Sequence, residues 1–455
     1  MAIQNFPVSL IPLIQQGFLE REFQQALRSK LCYRDIADRV GIPVAIGESV
    51  TKTRAGLKPA VTTPLAPNTN TNLDNGLAAT GWGVEQYTIS INQYGSTMDL
   101  NMVTNRVGIK GQFLQNAYSN GEQALRSLDD LARNALFAAY FSGNTRVRVT
   151  LSGAGPTISV DDVRGFLFAF YAPGFVSAAA AIAAGVTPIF APISVSNPLT
   201  VTVGSSVYVL NGAAVDGSNV TTTPSGLSGT LTFSTSVTVS DGTAGNGVQA
   251  ANASVILRPN GRTNASTLIA SDTLTMANLL DGVATLRINA VPTIDGAYNC
   301  YCDPKSARQL FADQDFQRLF IGATSANEVF GRGQVSDMLG LRFIMTTEAY
   351  VQPHPSIAGL SIRRPIICGQ GALIEGDFEG MAAADVTPKD SIISVVDDIV
   401  MVTREPLDRL QQIIAQSWYW IGGFTAPSDI TTNPSTIPTA GNATFKRAVM
   451  IEHVG

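Results

Sequence analysis

The stretch IDGAYNCYCDPKSARQLFADQDF, Ile294–Phe316, bears directly on the fold and on whether the chain carries a reaction centre. Its alternation places Cys300 and Cys302 on one face of a short strand and Tyr301 on the other. Asp303 and Pro304 follow, which predicts a helix with Asp303 as its N-cap and Pro304 at its first position. A structural zinc site commonly draws its Cys and His ligands from two spaced pairs. The sequence offers one Cys-x-Cys and no second pair, so we interpret these cysteines as buried apolar residues.

Other signatures of a reaction centre are weak along the chain. His354 and His453 are the two histidines, and they lie far apart. The run GQGALIEG, 369–376, differs from a dinucleotide-binding loop because its third glycine comes late and no βαβ unit surrounds it. Asp397 and Asp398 fit a turn or the solvent-facing side of a strand better than a ligand pair. The aromatic run 418–420 fits a core or subunit contact better than a stacking platform for sugar or nucleic acid. We therefore predict a protein that is not an enzyme, with no metal and no cofactor.

The composition is unusual in its low charge. Of 455 residues, 45% are apolar and only 14% are charged, against about 25% charged in an average soluble protein. Interfaces are depleted in Lys, Glu and Asp, so we expect a chain covered by partners. The net charge of −5 gives no sign of a nucleic-acid-binding domain. The four cysteines, the lack of a secretory signal and the lack of a long apolar run predict a protein made in a reducing cytoplasm, without a membrane segment.

Periodicity predicts the main elements. VEQYTISINQYG, 84–95, alternates as a strand with Tyr87, Ile89 and Ile91 on one face. Residues 119–143 carry a helical apolar stripe, with a Ser119–Glu122 capping box at the start, although the stripe also extends back to about residue 113. A second helix is predicted within 273–292, and a further helix near 18–31.

Two segments depart from this mixed pattern. Residues 47–83 are rich in Thr, Asn, Gly and Pro and have little to bury, so we predict an extended loop that packs outside its own domain, with a disordered linker as the alternative. Residues 144–272 are an insertion, β-rich from about 193. From 193 to 271 its Val and Thr runs carry only four charges, which favours a sandwich-like β-domain.

The order of these parts resembles the major capsid protein of tailed bacteriophages, the Hong Kong ninety-seven fold, and more closely its N-four-like branch. The resemblance rests on VEQYTISINQYGSTMDL, on the helix at 119–143, and on DGAYNCYCDPKSARQLFADQDF followed by GQVSDMLGLRFIMTTEAY. In that branch a Gly-x-Tyr strand leads into a Pro-started helix ending in Leu-x-x-Asp, where Leu310 and Asp313 match. The resemblance covers roughly 1–143 and 273–455, and the insertion departs from it.

The resemblance implies an α+β phage capsid fold with an inserted β-rich domain. The implied parts are an N-terminal arm (1–46), an E-loop with flanking strands (47–95), a P-domain with its spine helix (96–143 and 273–295), the insertion (144–272), and an A-domain with the remaining P-domain strands (296–455). Contacts between subunits are expected at Lys52, Arg54, Lys58 and Trp82 of the E-loop.

The implied function is a shell that self-assembles from hexamers and pentamers around double-stranded DNA. The expected partners are other copies of the chain, scaffold and portal proteins, and cement or decoration proteins. The expected location is the virion, after synthesis in the bacterial cytoplasm. A surface or fibre β-protein is the alternative that the Val and Thr runs leave open.

Overall fold

The computed structural model describes residues 32–43, 47–55, 84–101, 112–171, 189–219, 226–251, 253–317, 337–338, 340–379, 393–396, 398–404, 412–427 and 447–455. The predicted helix near 18–31 and most of the predicted loop at 47–83 lie outside these residues.

The described residues form an α+β structure with many short strands. The strands are β1 Ala37–Ile42, β2 Ser49–Ala55, β3 Val84–Ser90, β4 Asn92–Asn101, β5 Asn144–Arg146, β6 Gly155–Val160, β7 Phe168–Tyr171, β8 Ile189–Pro192, β9 Leu199–Val203, β10 Ser206–Asn219, β11 Leu227–Val237, β12 Gly247–Ala250, β13 Ile256–Leu257, β14 Tyr298–Cys302, β15 Asp337–Met338, β16 Leu341–Met345, β17 Val351–Pro353, β18 Ser361–Arg363, β19 Ile366–Cys368, β20 Leu373–Phe378, β21 Ile393–Val396, β22 Ile399–Arg404, β23 Ile413–Thr425, β24 Ala448–Ile451 and β25 His453–Val454. The α-helices are α1 Gln112–Tyr140, α2 Met276–Ile288 and α3 Pro304–Ala312, and short 3-10 helices span Arg34–Ile36, Arg164–Phe166, Pro259–Gly261 and Ala265–Thr267.

Helix α1 starts earlier than its capping-box sequence suggests. It begins at Gln112, so Ser119 and Glu122 lie inside the helix and the predicted capping box is wrong. The apolar stripe explains the difference, because Ala117 is already buried two residues before the expected cap. Gly143 follows the helix with φ +73°, the left-handed conformation that glycine adopts readily after a helix.

Three sheets meet around α1, α2 and α3. One sheet has the order β1-β20-β23-β22-β21, with β4 also paired to β23. Helix α1 packs on this sheet, where Leu125 and Leu128 share a buried cluster with Trp418 and Trp420. A second has the order β13-β24-β19-β14-β16-β15, with β17-β18-β25 as a separate three-stranded sheet. The core formed by α2 and α3 lies against β14, β19 and β24. Tyr301 belongs instead to the core against α1, which confirms the predicted opposite faces of β14.

Helices α2 and α3 begin at side-chain caps. Asp303 accepts hydrogen bonds from the backbone nitrogens of Lys305 and Ser306, as the Asp-Pro sequence predicts. Thr275 and Asn278 form a reciprocal capping box at the start of α2, within the predicted helical region. These caps pair backbone N–H groups that a helix otherwise leaves without partners at its first turn.

Most of the insertion forms a sheet with its own core. The order is β5-β12-β9-β10-β11-β6, and a cluster of buried residues that includes Val160, Val201 and Phe233 lies beneath it. The β7–β8 hairpin contributes Ala169 to the same cluster. Strands already occur from Asn144 onward, before the predicted β-rich start near 193. Strand β13, which is also within 144–272, belongs to the neighbouring sheet, where Ile256 pairs with Met450.

The ends of the insertion sheet lie side by side. Ala250 donates a backbone hydrogen bond to Gly143 at 2.8 Å, and β12 pairs with β5. The chain therefore leaves the main body after α1 and returns to it at almost the same point. A short connection between the two ends could replace the sheet without moving either flank.

Candidate assembly surfaces and buried charge networks

Strands β2 and β3 form a two-stranded ribbon that carries the first of the predicted contact residues. Lys52 lies opposite Tyr87 and Arg54 lies opposite Glu85 in the antiparallel register. Lys58 and Trp82 lie outside the described residues. Lys52 and Arg54 therefore lie two residues apart on the same strand, β2.

The ribbon is fixed to the body at its base. Ile89 of β3 is fully buried and packs with Ile42 and Ile374, while Val50 is partly buried against the same cluster. An ideal Cβ on Gly423 would lie 1.9 Å from the Ser90 carbonyl oxygen. Only glycine at position 423 allows β23 to approach the end of β3 this closely.

Asp129 of α1 holds the start of the described chain. Its Oδ1 accepts backbone hydrogen bonds from Tyr33 at 2.7 Å, Cys32 at 3.2 Å and Arg34 at 3.3 Å. Burial raises the Asp129 pKa, and the three hydrogen bonds offset only part of that rise. The Tyr33 ring stacks on Tyr301 with centroids 5.3 Å apart. This segment is thereby tied to both α1 and β14.

Buried ion pairs join elements that are distant in sequence. The Arg34 guanidinium binds Glu375 with a shortest N–O distance of 2.6 Å, and both side chains are almost fully buried. Arg258 and Arg364 share the carboxylate of Glu452 at 2.6 and 2.7 Å. Burial favours a higher Glu452 pKa, but the two arginines outweigh it and lower that pKa. Sequence reasoning missed these residues. The sequence signal that could have found them is a charged residue inside an otherwise apolar run, as in AVMIEHV and SIRRPIIC.

A Ser-His-Asp cluster at the start of α3 has the wrong geometry for nucleophilic catalysis. Ser306 Oγ lies 2.8 Å from His453 Nε2, but Asp303 bonds Ser306 and Arg363. In a catalytic triad the carboxylate orients the histidine instead. Ser306 and His453 are fully buried. Burial lowers the His453 pKa to about 4, so the imidazole is neutral at pH 7. The cluster therefore caps a helix.

The cysteines of the quoted stretch are packing residues. Cys300, Cys302 and Cys368 are fully buried, and burial raises the pKa of the Cys368 thiol. Thiolates are the forms that bind metals and react, so burial favours the unreactive thiol at Cys368. Among the residues that the structure describes, no group of three or more His, Cys, Asp and Glu side chains is arranged to hold a metal ion.

The remaining candidate motifs of the sequence lie in the core, in a strand or at a turn. Trp418 and Trp420 are buried against α1, with Trp420 stacked on Tyr94 and Phe424, which confirms a core contact for both. The GQGALIEG run leads into β20, which pairs in parallel with β1. Asp398 has φ +65° and binds the exposed Arg39 at 2.9 Å, whereas Asp397 lies outside the described residues. The helices of the described ranges include none that is long and apolar enough to cross a membrane.

No protein-family profile and no curated protein matches the chain. Solved structures with a similar fold include the capsid of Ralstonia phage GP4, at 10% identity and a TM-score of 0.47, covering 92% of this chain and 87% of that one. The capsid of the cyanophage P-SCSP1u is similar at 11% identity and a TM-score of 0.44, covering 93% and 88%. The cyanophage Pam1 capsid is similar at 14% identity and a TM-score of 0.43, covering 90% and 85%.

Proposed function

We propose that the chain is the major capsid protein of a tailed double-stranded DNA bacteriophage, and that it assembles through hexamers and pentamers into an icosahedral head. The observation that carries the proposal is the presence of the β2–β3 ribbon together with a 29-residue helix packed on a sheet. This arrangement matches the order of parts on which the sequence resemblance rests.

The ribbon supports a role in assembly because its own energetics are unfavourable. An isolated two-stranded ribbon is marginally stable in water. Here it is linked through residues 56–83, a segment with little to bury, and its described contacts with the body lie at the base, around Ile89 and Val50. A neighbouring subunit would supply the missing surface. We therefore assign the E-loop role to 47–95 and subunit contacts to Lys52, Arg54, Lys58 and Trp82.

The charges support a container rather than an enzyme. Among the described residues, the buried acids and bases of these networks pair with one another, cap a helix or accept backbone N–H groups, which are structural tasks. The low overall charge and net charge of −5 suit a shell that encloses DNA without gripping it, because many phosphate contacts would hold the genome tightly. Scaffold, portal and cement proteins are the proposed partners, with assembly in the bacterial cytoplasm and final location in the virion.

We assign the remaining parts by the same resemblance. The spine helix is α1, within a P-domain of 96–143 and 273–295, after an arm of 1–46. The A-domain and remaining P-domain strands occupy 296–455.

The insertion at 144–272 is proposed to serve as an outer contact or docking surface of the capsomer. Its outward face carries exposed Val207 and Val209 on β10, opposite Thr202 and Thr200 of β9. Because Gly143 and Ala250 are hydrogen-bonded neighbours, replacing 144–249 with a short glycine linker removes the whole sheet. Loss of shell stability or of accessory-protein binding is expected; unchanged assembly, stability and binding would exclude this role.

The deciding experiment is negative-stain electron microscopy of the full chain, alone and with the other head proteins of its source. Closed shells or capsomer rings are the expected result. Rods would favour the fibre alternative, and monomers under every condition would contradict the capsid proposal.

A further inference from the structure

A small cavity lies where the insertion sheet meets the sheets of the main body. Its volume is about 20 Å³, and its wall includes Arg146, Gln249, Arg258, Arg364 and Glu452. A space of this size is large enough for one water molecule or a small ion, since one water needs roughly 10–15 Å³ by the same measure.

The wall of the cavity carries more positive than negative charge. Three arginines line it, together with one carboxylate, Glu452. The charge of Arg146 is neutralised by Asp161, whose carboxylate lies 2.6 Å from the guanidinium and is not part of the wall. Arg258 and Arg364 then share Glu452, which leaves one positive charge of this cluster without an anionic partner among the residues that the structure describes. Uncompensated buried charge is costly in a protein interior.

Arg364 is the residue at which this excess is concentrated. Its side chain is 1% exposed, and its guanidinium lies 4.8 Å from the Phe141 ring centre and 4.4 Å from that of Tyr350. These aromatic faces stabilise the cation only in part. Its Nη1 is buried and has no hydrogen-bond partner in the described structure. A buried donor without an acceptor loses its hydrogen bonds to water and gains none in return, so it destabilises the folded state.

We propose that this cavity binds a small monovalent anion, with chloride as the probe ligand. The anion would accept a hydrogen bond from Arg364 Nη1 and neutralise the excess charge of the wall. It would join the insertion to the main body, because Arg146 and Gln249 belong to the insertion sheet whereas Arg364 and Glu452 belong to the body. This inference is independent of the proposed capsid function.

A water molecule is the competing occupant. Asn144 also lines this cavity, and its Oδ1 lacks a partner among the described residues, so a water could donate to that oxygen while accepting from Arg364. The unbalanced positive charge favours the anion, because a water would leave it in place. Experiment can distinguish the two occupants. Only a bound anion makes the stability of the folded chain depend on which anion the salt contains when the ionic strength is constant.

The test is thermal unfolding of the full chain as sodium chloride replaces sodium gluconate at fixed ionic strength. Gluconate is too large for the cavity. Anion binding to the folded state raises the unfolding temperature, and we expect a rise of about 1 °C or more, the size that a modest stabilisation gives in a chain of this length. Bromide should act like chloride. An unfolding temperature that does not respond to chloride would overturn the proposal in favour of water.

Two variants locate the effect. Arg364→Met keeps an elongated side chain between the two rings and leaves Arg258 paired with Glu452, so the chloride response should disappear. Arg126→Met changes a side chain that is 60% exposed on α1, so the response should remain. A chloride response that persists unchanged in Arg364→Met would place the anion elsewhere and overturn the assignment.

A measurement on the unmodified chain covers the case in which Arg364→Met does not fold. Chloride exchanging with a protein site gives a broadened chloride NMR line. We expect broadening that bromide reverses and gluconate does not. A line no broader than in buffer would contradict binding.

Discussion

Asp129 Oδ1 of α1 lies 2.7 Å from the backbone nitrogen of Tyr33 and accepts its hydrogen bond. The same oxygen accepts from the residues on either side of Tyr33. One carboxylate on the long helix thus fixes the chain that follows the N-terminal segment.

Replacing Asp129 with alanine should lower the free energy of unfolding by about 1–3 kcal/mol, because buried N–H groups lose their acceptor. Asp129→Asn should lose less, since its amide oxygen can still accept. Urea unfolding of the unassembled chain measures both. The matched control is Asp130→Ala, whose carboxylate is 41% exposed and should change stability little. Equal effects at the two positions would contradict the anchoring role.

Breaking the Arg34–Glu375 pair should be costly because both side chains are almost fully buried. We expect Glu375→Met to destabilise the fold by about 3–5 kcal/mol, since Arg34 is left as an unpaired buried cation. The double variant Arg34→Met with Glu375→Met should recover much of that loss. Arg126→Met, which removes the exposed pair with Glu348, should change stability by at most about 1 kcal/mol. A fully additive double-variant cycle would contradict the coupling.

Gly423→Ala should separate the end of β3 from β23. The added methyl group would meet the Ser90 carbonyl oxygen at 1.9 Å, and overpacking of this kind costs about 1–3 kcal/mol. Calorimetry of the unassembled chain gives the change in unfolding temperature. Gly153→Ala is the control, because its Cβ would meet nothing within 4 Å. An unchanged unfolding temperature at position 423 would show that the ribbon base tolerates displacement.

Acid should destabilise the structure through His453. Burial lowers its folded pKa to about 4, and Arg363 acts in the same direction while Asp303 opposes it. The unfolded imidazole titrates near pH 6.5, so this contribution is fully present above that pH and is lost as the pH falls towards 4. Between these two pH values the free energy of unfolding should fall by roughly 3 kcal/mol, because the imidazole binds its proton more weakly in the folded chain than in the unfolded chain. His453→Gln should flatten the stability profile in this window relative to the wild type, and exposed Lys305→Gln should not.

Reversing charge on the ribbon tests its proposed contact with a neighbour. Lys52→Glu combined with Arg54→Glu should shift assembly to a protein concentration at least about tenfold higher, because repulsive or unpaired interfacial charge costs several kcal/mol. Circular dichroism should show an unchanged fold, and electron microscopy with sedimentation should count shells and subunits. Lys305→Glu is the control on an exposed position of α3. Normal assembly of the double variant would remove these two residues from the contact.

Local patterns determined the elements whose physics is local. The alternation of YNCYC and the Asp-Pro cap correctly predicted β14 and α3, because pleating and backbone N–H capping involve residues only a few positions apart. The second helix was predicted for the same reason. For the start of α1 the sequence left two candidates, a Ser-x-x-Glu cap and a continuing apolar stripe, and packing of Ala117 decided for the stripe.

By itself, the sequence determined the alternation of β14, the Asp303 cap of α3, the low charge and the burial of Cys300 and Cys302. Tertiary structure alone decided which charges are buried together, as with Arg34 and Glu375, which are 341 residues apart along the chain. It also decided that Asp303 bonds Ser306 and Arg363, and that Gly143 meets Ala250. The physical reason is distance along the chain. Propensity and capping act within a few residues, whereas ion pairs, close backbone approaches and cavities depend on segments that only the folded chain brings together.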